Sequence, residues 1–334
     1  MTWTKSLKKW LCGLCVSIAN PKTICVLAFL SSGRPDTLYL IYLCTDMNNY
    51  VRETHKKMFL MQNIFVSLVL LLTCSNAMSQ KVLDKAFMKC QYKYTYIKDT
   101  LTGKSDNDLL ALQIGHKISK CYSQYSAQVD SFYALPNGRT LLATQMKQAY
   151  DTKTDRLHKK MRTYIYKNYP EDKMTITDGV ALQDYIYEDS LNIQNWEIKD
   201  SVKKIMDYDT KMAECYFRGR HWTAWFTEEI PVNNGPWKLG NLPGLIMEAY
   251  DDGMQYHFLI VGLQRVSDEP IVFSKTYIGS KKYEHTTRKK FLRHNMKVLC
   301  DMNGYILLET GIDLGVNEKQ KILRYDLLER DYNK

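Results

Sequence analysis

Residues 87–96, FMKCQYKYTY, put Cys90, Tyr92, Tyr94 and Tyr96 on one side of an extended chain and Lys89, Gln91, Lys93 and Thr95 on the other. A period of two over that length describes a half-buried strand. Residues 108–114 read as its hairpin partner across the turn TGKSDND. Further strands are expected at 162–166, 184–188, 196–198 and 203–208. Two more, 245–250 and 255–266, flank Asp251-Asp252-Gly253, a good hairpin turn. The stretch 211–226, read as extended, gives Arg218, Arg220, Trp222, Ala224 and Phe226 one face, and Gly219, His221, Thr223, Trp225 and Thr227 the other. Helices are expected at 123–134 and 140–150, parted by Pro136-Asn137-Gly138, and at 283–299. Sequential hairpins with helices clustered early and late predict an α+β fold, a large curved antiparallel sheet with a few peripheral helices. One domain over residues 80–334 accommodates it.

The front end carries a different signal. From residue 55 the chain reads HKKMFLMQNIFVSLVLLLTCSNAMSQ, a short basic run, an apolar stretch and then small polar residues. That order describes a secretory signal peptide over residues 58–79, and the apolar run is short of the ~20 residues a membrane-spanning helix needs. Cleavage fits after Ala77 or after Ser79. A lipoprotein reading through Cys74 is disfavoured by Thr73, since a smaller residue usually precedes the lipidated cysteine. Met58 or Met61 then reads as the start, and residues 1–57, with Cys12 and Cys15, are expected to be a spurious or unstructured upstream extension. The protein is therefore expected outside the cytoplasm, in the periplasm or at the outer membrane. Residues 80–334 hold 38 Lys and Arg against 33 Asp and Glu, too mild a surplus to argue for nucleic acid as a partner. Their four cysteines, Cys90, Cys121, Cys215 and Cys300, allow three pairings or none.

The densest punctuation is GPWKLGNLPGLIMEAY, residues 235–250. Gly235 and Gly240 have the spacing of a phosphate loop, but Asn241 and Leu242 stand where that loop needs Lys and Ser or Thr, and Pro236 removes a backbone donor. A rigid corner is the better reading. Pro243 and Gly244 suit the central places of a type II turn, Gly240-Asn241 tolerate left-handed backbone, and Trp237, Leu239, Leu242, Leu245 and Ile246 supply apolar bodies to fold it onto a sheet.

The run 216–251, YFRGRHWTAWFTEEIPVNNGPWKLGNLPGLIMEAYD, resembles the signature of the GLPGLI family of secreted envelope proteins. The pieces are Arg218-Gly219-Arg220, Thr223-Ala224-Trp225, Ile230-Pro231, Gly235-Pro236-Trp237-Lys238 and Leu242-Pro243-Gly244-Leu245-Ile246. Asn241 departs from the pattern at the first glycine of the name, and Thr210 stands where members often carry a cysteine. The resemblance implies export and transfers no catalytic residues. From the residues alone, Arg218, Arg220, His221, Trp222 and Trp225 are the candidate ligand contacts, the arginines for an anionic group. A solvated Arg pair stacked on Trp222 is the plainer alternative. His221 is the one tempting catalytic residue, with Glu228 and Glu229 nearby, although a lone histidine in a Trp-rich strand is more often packed. No metal-ligand spacing and no cofactor motif appears in residues 80–334. A basic stripe at Lys289, Arg293 and Lys297 fits a docked helix better than a membrane surface. The reading is a non-catalytic envelope module that binds an unidentified ligand or protein. The alternatives are a hydrolase using His221 with a nearby carboxylate, and a structural or assembly factor of the envelope.

Overall fold

The computed structural model describes residues 14–17, 25–28, 81–153, 158–274, 282–313, 315 and 326–332. The chain divides into two compact units, Met1–Ser79 and Gln80–Lys334. In the first, β1 (Leu14–Ser17) and β2 (Cys25–Ala28) form a two-stranded antiparallel ladder. The 58–79 leader and Cys74 lie outside the described residues.

The second unit is built on one curved sheet of twelve strands. The strands β3 (Val82–Asp99), β4 (Lys104–Gly115), β5 (Ser119–Ser123), β6 (Tyr164–Lys167), β7 (Lys173–Val180) and β8 (Gln183–Ser190) run as an antiparallel meander, each paired with the next. A second meander follows with β9 (Glu197–Ile205), β10 (Tyr208–Phe217), β11 (Arg220–Thr227), β12 (Leu245–Asp251) and β13 (Tyr256–Val272). The long ladder between β3 and β13 joins the two. A two-residue strand, β14 (Glu284–His285), extends the β8 edge in parallel. Between β5 and β6 lie the helices α1 (Gln124–Tyr133) and α2 (Gly138–Thr152). After β14 come α3 (Arg288–Cys300) and α4 (Met302–Thr310).

The alternation in β3 does what period two requires: Cys90, Tyr92 and Tyr94 are buried while Lys93 is exposed. The inward faces of both meanders meet in one core. Trp222 lies within 5.7 Å of Trp237 and 6.1 Å of Phe258, ring centre to ring centre, and Phe217 meets Trp237 edge-on. The Tyr92 hydroxyl crosses this core to donate to the Ile246 carbonyl at 2.7 Å. Cys90, Cys121 and Cys215 are buried free thiols and Cys300 an exposed one. Burial pushes the Cys90 and Cys215 thiols up to about 12.

Several sequence expectations need correction. The extended run 211–226 is two strands, because Arg218 and Gly219 turn the chain with φ of 55° and 81°. Conversely, the strands expected at 196–198 and 203–208 are mostly one, β9, and the chain turns at Met206-Asp207, both left-handed. The sequence reading also lacks β5, β7 and α4, and β14 occupies the start of the helix expected at 283–299, which begins at Arg288. The short β5 is buried on both faces except at Tyr122, so it shows no alternation to read.

Candidate functional site

The loop from Glu228 to Gly244 packs into the core instead of lying over the surface, so its backbone polar groups need partners. Other elements supply them. Lys167, at the end of β6, donates to the Gly235 carbonyl at 2.8 Å, the Leu239 carbonyl at 2.6 Å and Asn234 Oδ1 at 3.0 Å. Gln194 donates to the Lys238 carbonyl and the Trp196 indole to the Gly240 carbonyl. Leu239 N–H closes a turn onto the Pro236 carbonyl, with Trp237 left-handed at φ 51°. Trp237 N–H donates to the Cys121 sulfur. Leu242, Leu245 and Ile246 are buried.

The type II turn expected at Pro243-Gly244 is not there. Its third place needs positive φ, and Gly244 lies outside the left-handed region. Glycine is required for another reason: a Cβ would stand 2.0 Å from the Thr227 carbonyl oxygen. Asn241 does take the left-handed conformation, at φ 65°.

The signature arginines face inward, to the segment 326–332. Residues 326–332, DLLERDY, lie along the start of β11 and the loop. Arg220, 2 % exposed, bonds Asp251 Oδ2 at 2.7 Å and donates to the carbonyls of Leu327 and Leu328. Beside it, Arg218, Lys238 and Arg288 interleave with Asp189, Glu329 and Asp331. The count is three cations to three anions, so the cluster is neutral. Arg288 grips Asp331 with both terminal nitrogens at 2.6 and 2.8 Å. Arg330 N–H donates to the Arg218 carbonyl at 2.9 Å, which the left-handed turn at Arg218-Gly219 presents. Burial raises the Asp189 carboxyl, but Lys238, Arg218 and Arg288 together hold it below the usual range. Asp326 and Asp331 are likewise lowered, their arginine partners outweighing burial.

Of the other candidates, Trp222 is core and donates to the Phe217 carbonyl. Trp225 lies on the opposite face of β11 under the Lys203 ammonium, 4.2 Å from the ring centre. His221 Nδ1 stands 2.8 Å from Asp252 Oδ1 at the β12–β13 hairpin, where the Asp252 side chain is 68 % exposed. Glu228 and Glu229 turn away from it, to Lys211 and the Asp209 amide.

A polar cleft of about 320 Å³ opens beside the loop. Its lining includes Lys117, Lys167, Asn168, Asn192, Asn233 and Lys238. Burial brings the Lys167 ammonium down to about 8. Lys238 closes the Gly235-Pro236-Trp237-Lys238 piece, yet nothing in the sequence ties it to Lys167, seventy-one positions earlier. Only the sheet's curvature brings β6 to the loop. Among the described residues no cluster of His, Cys, Asp and Glu fit to hold a metal ion occurs, and no helix is long and apolar enough to cross a membrane.

Comparison with known proteins adds little beyond the signature. A family model described as a protein of unknown function (Porph_ging) matches residues 217–248. That span runs from the last residue of β10 through β11 and the buried loop into β12. No curated protein matches the chain. Among solved structures, PNGF-II in a C2 crystal form is 12% identical over 63% of this chain and 32% of its own, with a TM-score of 0.40. The P21 form is 11% identical over 62% and 32%, with a TM-score of 0.38. The match thus spans about a third of PNGF-II.

Proposed function

We propose that the protein is a non-catalytic ligand-binding module of the cell envelope, with the cleft beside the buried loop as its site. The observation that carries this reading is the anchoring of the loop by other elements. Its carbonyls at 235, 238, 239 and 240 accept from side chains of other elements, so the cleft wall is formed before a ligand arrives. The leader at residues 58–79 supports export. Native mass spectrometry of protein purified from the periplasm tests both parts. Gly240 lines the cleft, and a Cβ there meets nothing nearer than 3.6 Å, so Gly240→Leu fills the space without a backbone clash. A small molecule retained by the wild type and lost from Gly240→Leu, at equal melting temperature, is the expected result. Retention by the variant contradicts it, whereas native protein carrying peptides from before residue 57 would overturn the start at Met58 or Met61.

The hydrolase reading keeps one geometric observation, the His221–Asp252 pair. That pair links β11 to the β12–β13 hairpin and does not line the cleft. General base catalysis needs the imidazole within reach of a bound reactant. His221→Gln is accordingly expected to leave ligand retention unchanged, and a loss of turnover on any ester or glycoside panel would favour the enzyme.

A further inference from the structure

The cleft's charges are not balanced. Lys238 faces the same space, but its ammonium is spent on Asp189 at 2.8 Å and on Glu329. Lys167 is different: all three of its contacts are neutral oxygens, and no carboxylate pairs with it among the described residues. Lys117 is an exposed cation on the rim, and Asp172 is the one carboxylate in the lining. An ammonium buried without a counter-charge is costly and projects a positive potential into the space it borders. The rest of the lining is amide and hydroxyl, from Asn168, Asn192, Asn233, Asn234 and Ser119, with two leucines and no aromatic ring. Asn168 is already engaged, donating to the Lys117 carbonyl and accepting from the Asp172 amide, which fixes both rim residues. Asn233 accepts from the Asn241 amide, which leaves its own N–H₂ for a ligand.

We propose that the cleft takes a small polar oxyanion, a sugar phosphate or a sugar acid, whose charge is set against Lys117 and the buried Lys167. This rests on the reading of the cleft as the binding site and adds the class of ligand. Lysines and amides suit it: lysine serves anions as a point charge, and amides bond hydroxyls. The absence of aromatic rings from the lining argues against an aromatic or acyl ligand. An anion in the cleft would relieve the cost of holding Lys167 charged, since burial depresses it to about 8.

Isothermal titration of the full chain with glucose 6-phosphate, glucuronate and glucose tests the inference. At least one of the two anions is expected to bind, more weakly as salt is raised, with neutral glucose about tenfold weaker or worse. The two anionic arms separate phosphate from carboxylate. Lys117→Gln, on the exposed rim, is expected to weaken the anion about tenfold at unchanged melting temperature. Asn192→Asp, at a left-handed position that aspartate tolerates, adds a repelling charge and is expected to weaken it as well. Glucose binding as tightly as the anions, no anion binding at all, or an unaffected Lys117→Gln overturns the charge inference and leaves the cleft reading standing. Anion binding that survives Gly240→Leu overturns both.

Discussion

Single atoms decide more here than residue classes do. Gly244 and Gly253 both sit beside strands, yet a Cβ meets backbone at 2.0 Å at the first and nothing nearer than 3.5 Å at the second. Urea unfolding is expected to show Gly244→Ala destabilised by about 1–3 kcal/mol, and Gly253→Ala within about 0.5 kcal/mol of the wild type. Equal effects would contradict the close approach. The requirement for glycine is legible in the sequence, but its cause is not, because Thr227 is seventeen residues away and approaches only through the β11–β12 pairing. The same limit governs the arginines. Alternation puts Arg220 with Trp222, Ala224 and Phe226, but every residue of β11 except His221 is buried, so burial does not single out that face. Periodicity alone cannot say that the face is interior, since the partners that neutralise Arg220 lie at Asp251 and Asp326.

At the scale of elements, the terminal segment 326–332 behaves as a strap fastened by charge. Its sequence, DLLERDY, shows neither helical nor strand periodicity, and only its acidic residues hint at basic partners. A buried ion pair contributes little net stability against apolar groups of the same volume, but breaking one side of it is expensive. Lys238→Met leaves Asp189 and Glu329 short of a cation and is expected to cost about 3–5 kcal/mol in chemical denaturation. Adding Glu329→Leu removes one charge of each sign and is expected to recover most of that loss. A double variant no better than the single would mean that the two side chains are not coupled. The strands β3, β4, β12 and β13 and the helices α1 and α2 follow from local pattern. By contrast, β5 and β7 escape it because both their faces are largely buried.

At the largest scale, residues 80–334 form two meanders joined by one ladder, curved until β6 and β8 of the first reach the loop and strap of the second. That curvature makes stability pH-dependent. Asp189, Asp326 and Asp331 have folded values below the ordinary carboxylate, near 3.9 when unfolded. Their contribution is therefore present in full above about pH 4 and lost as pH falls through the lower folded values. Thermal melts are expected to drop as pH falls below about 4, and Asp189→Asn is expected to flatten that drop. No cleft follows from the sequence, because Lys117, Lys167 and Lys238 come from three separate elements. Above all, the signature's basic residues hold the segment 326–332. Hydrogen–deuterium exchange at the Arg330 amide, which donates to the Arg218 carbonyl, tests it most directly. Slow exchange in the wild type that becomes fast in Lys238→Met, with the β3 amides still protected, is the predicted result. Fast exchange at Arg330 in the unaltered protein would contradict it.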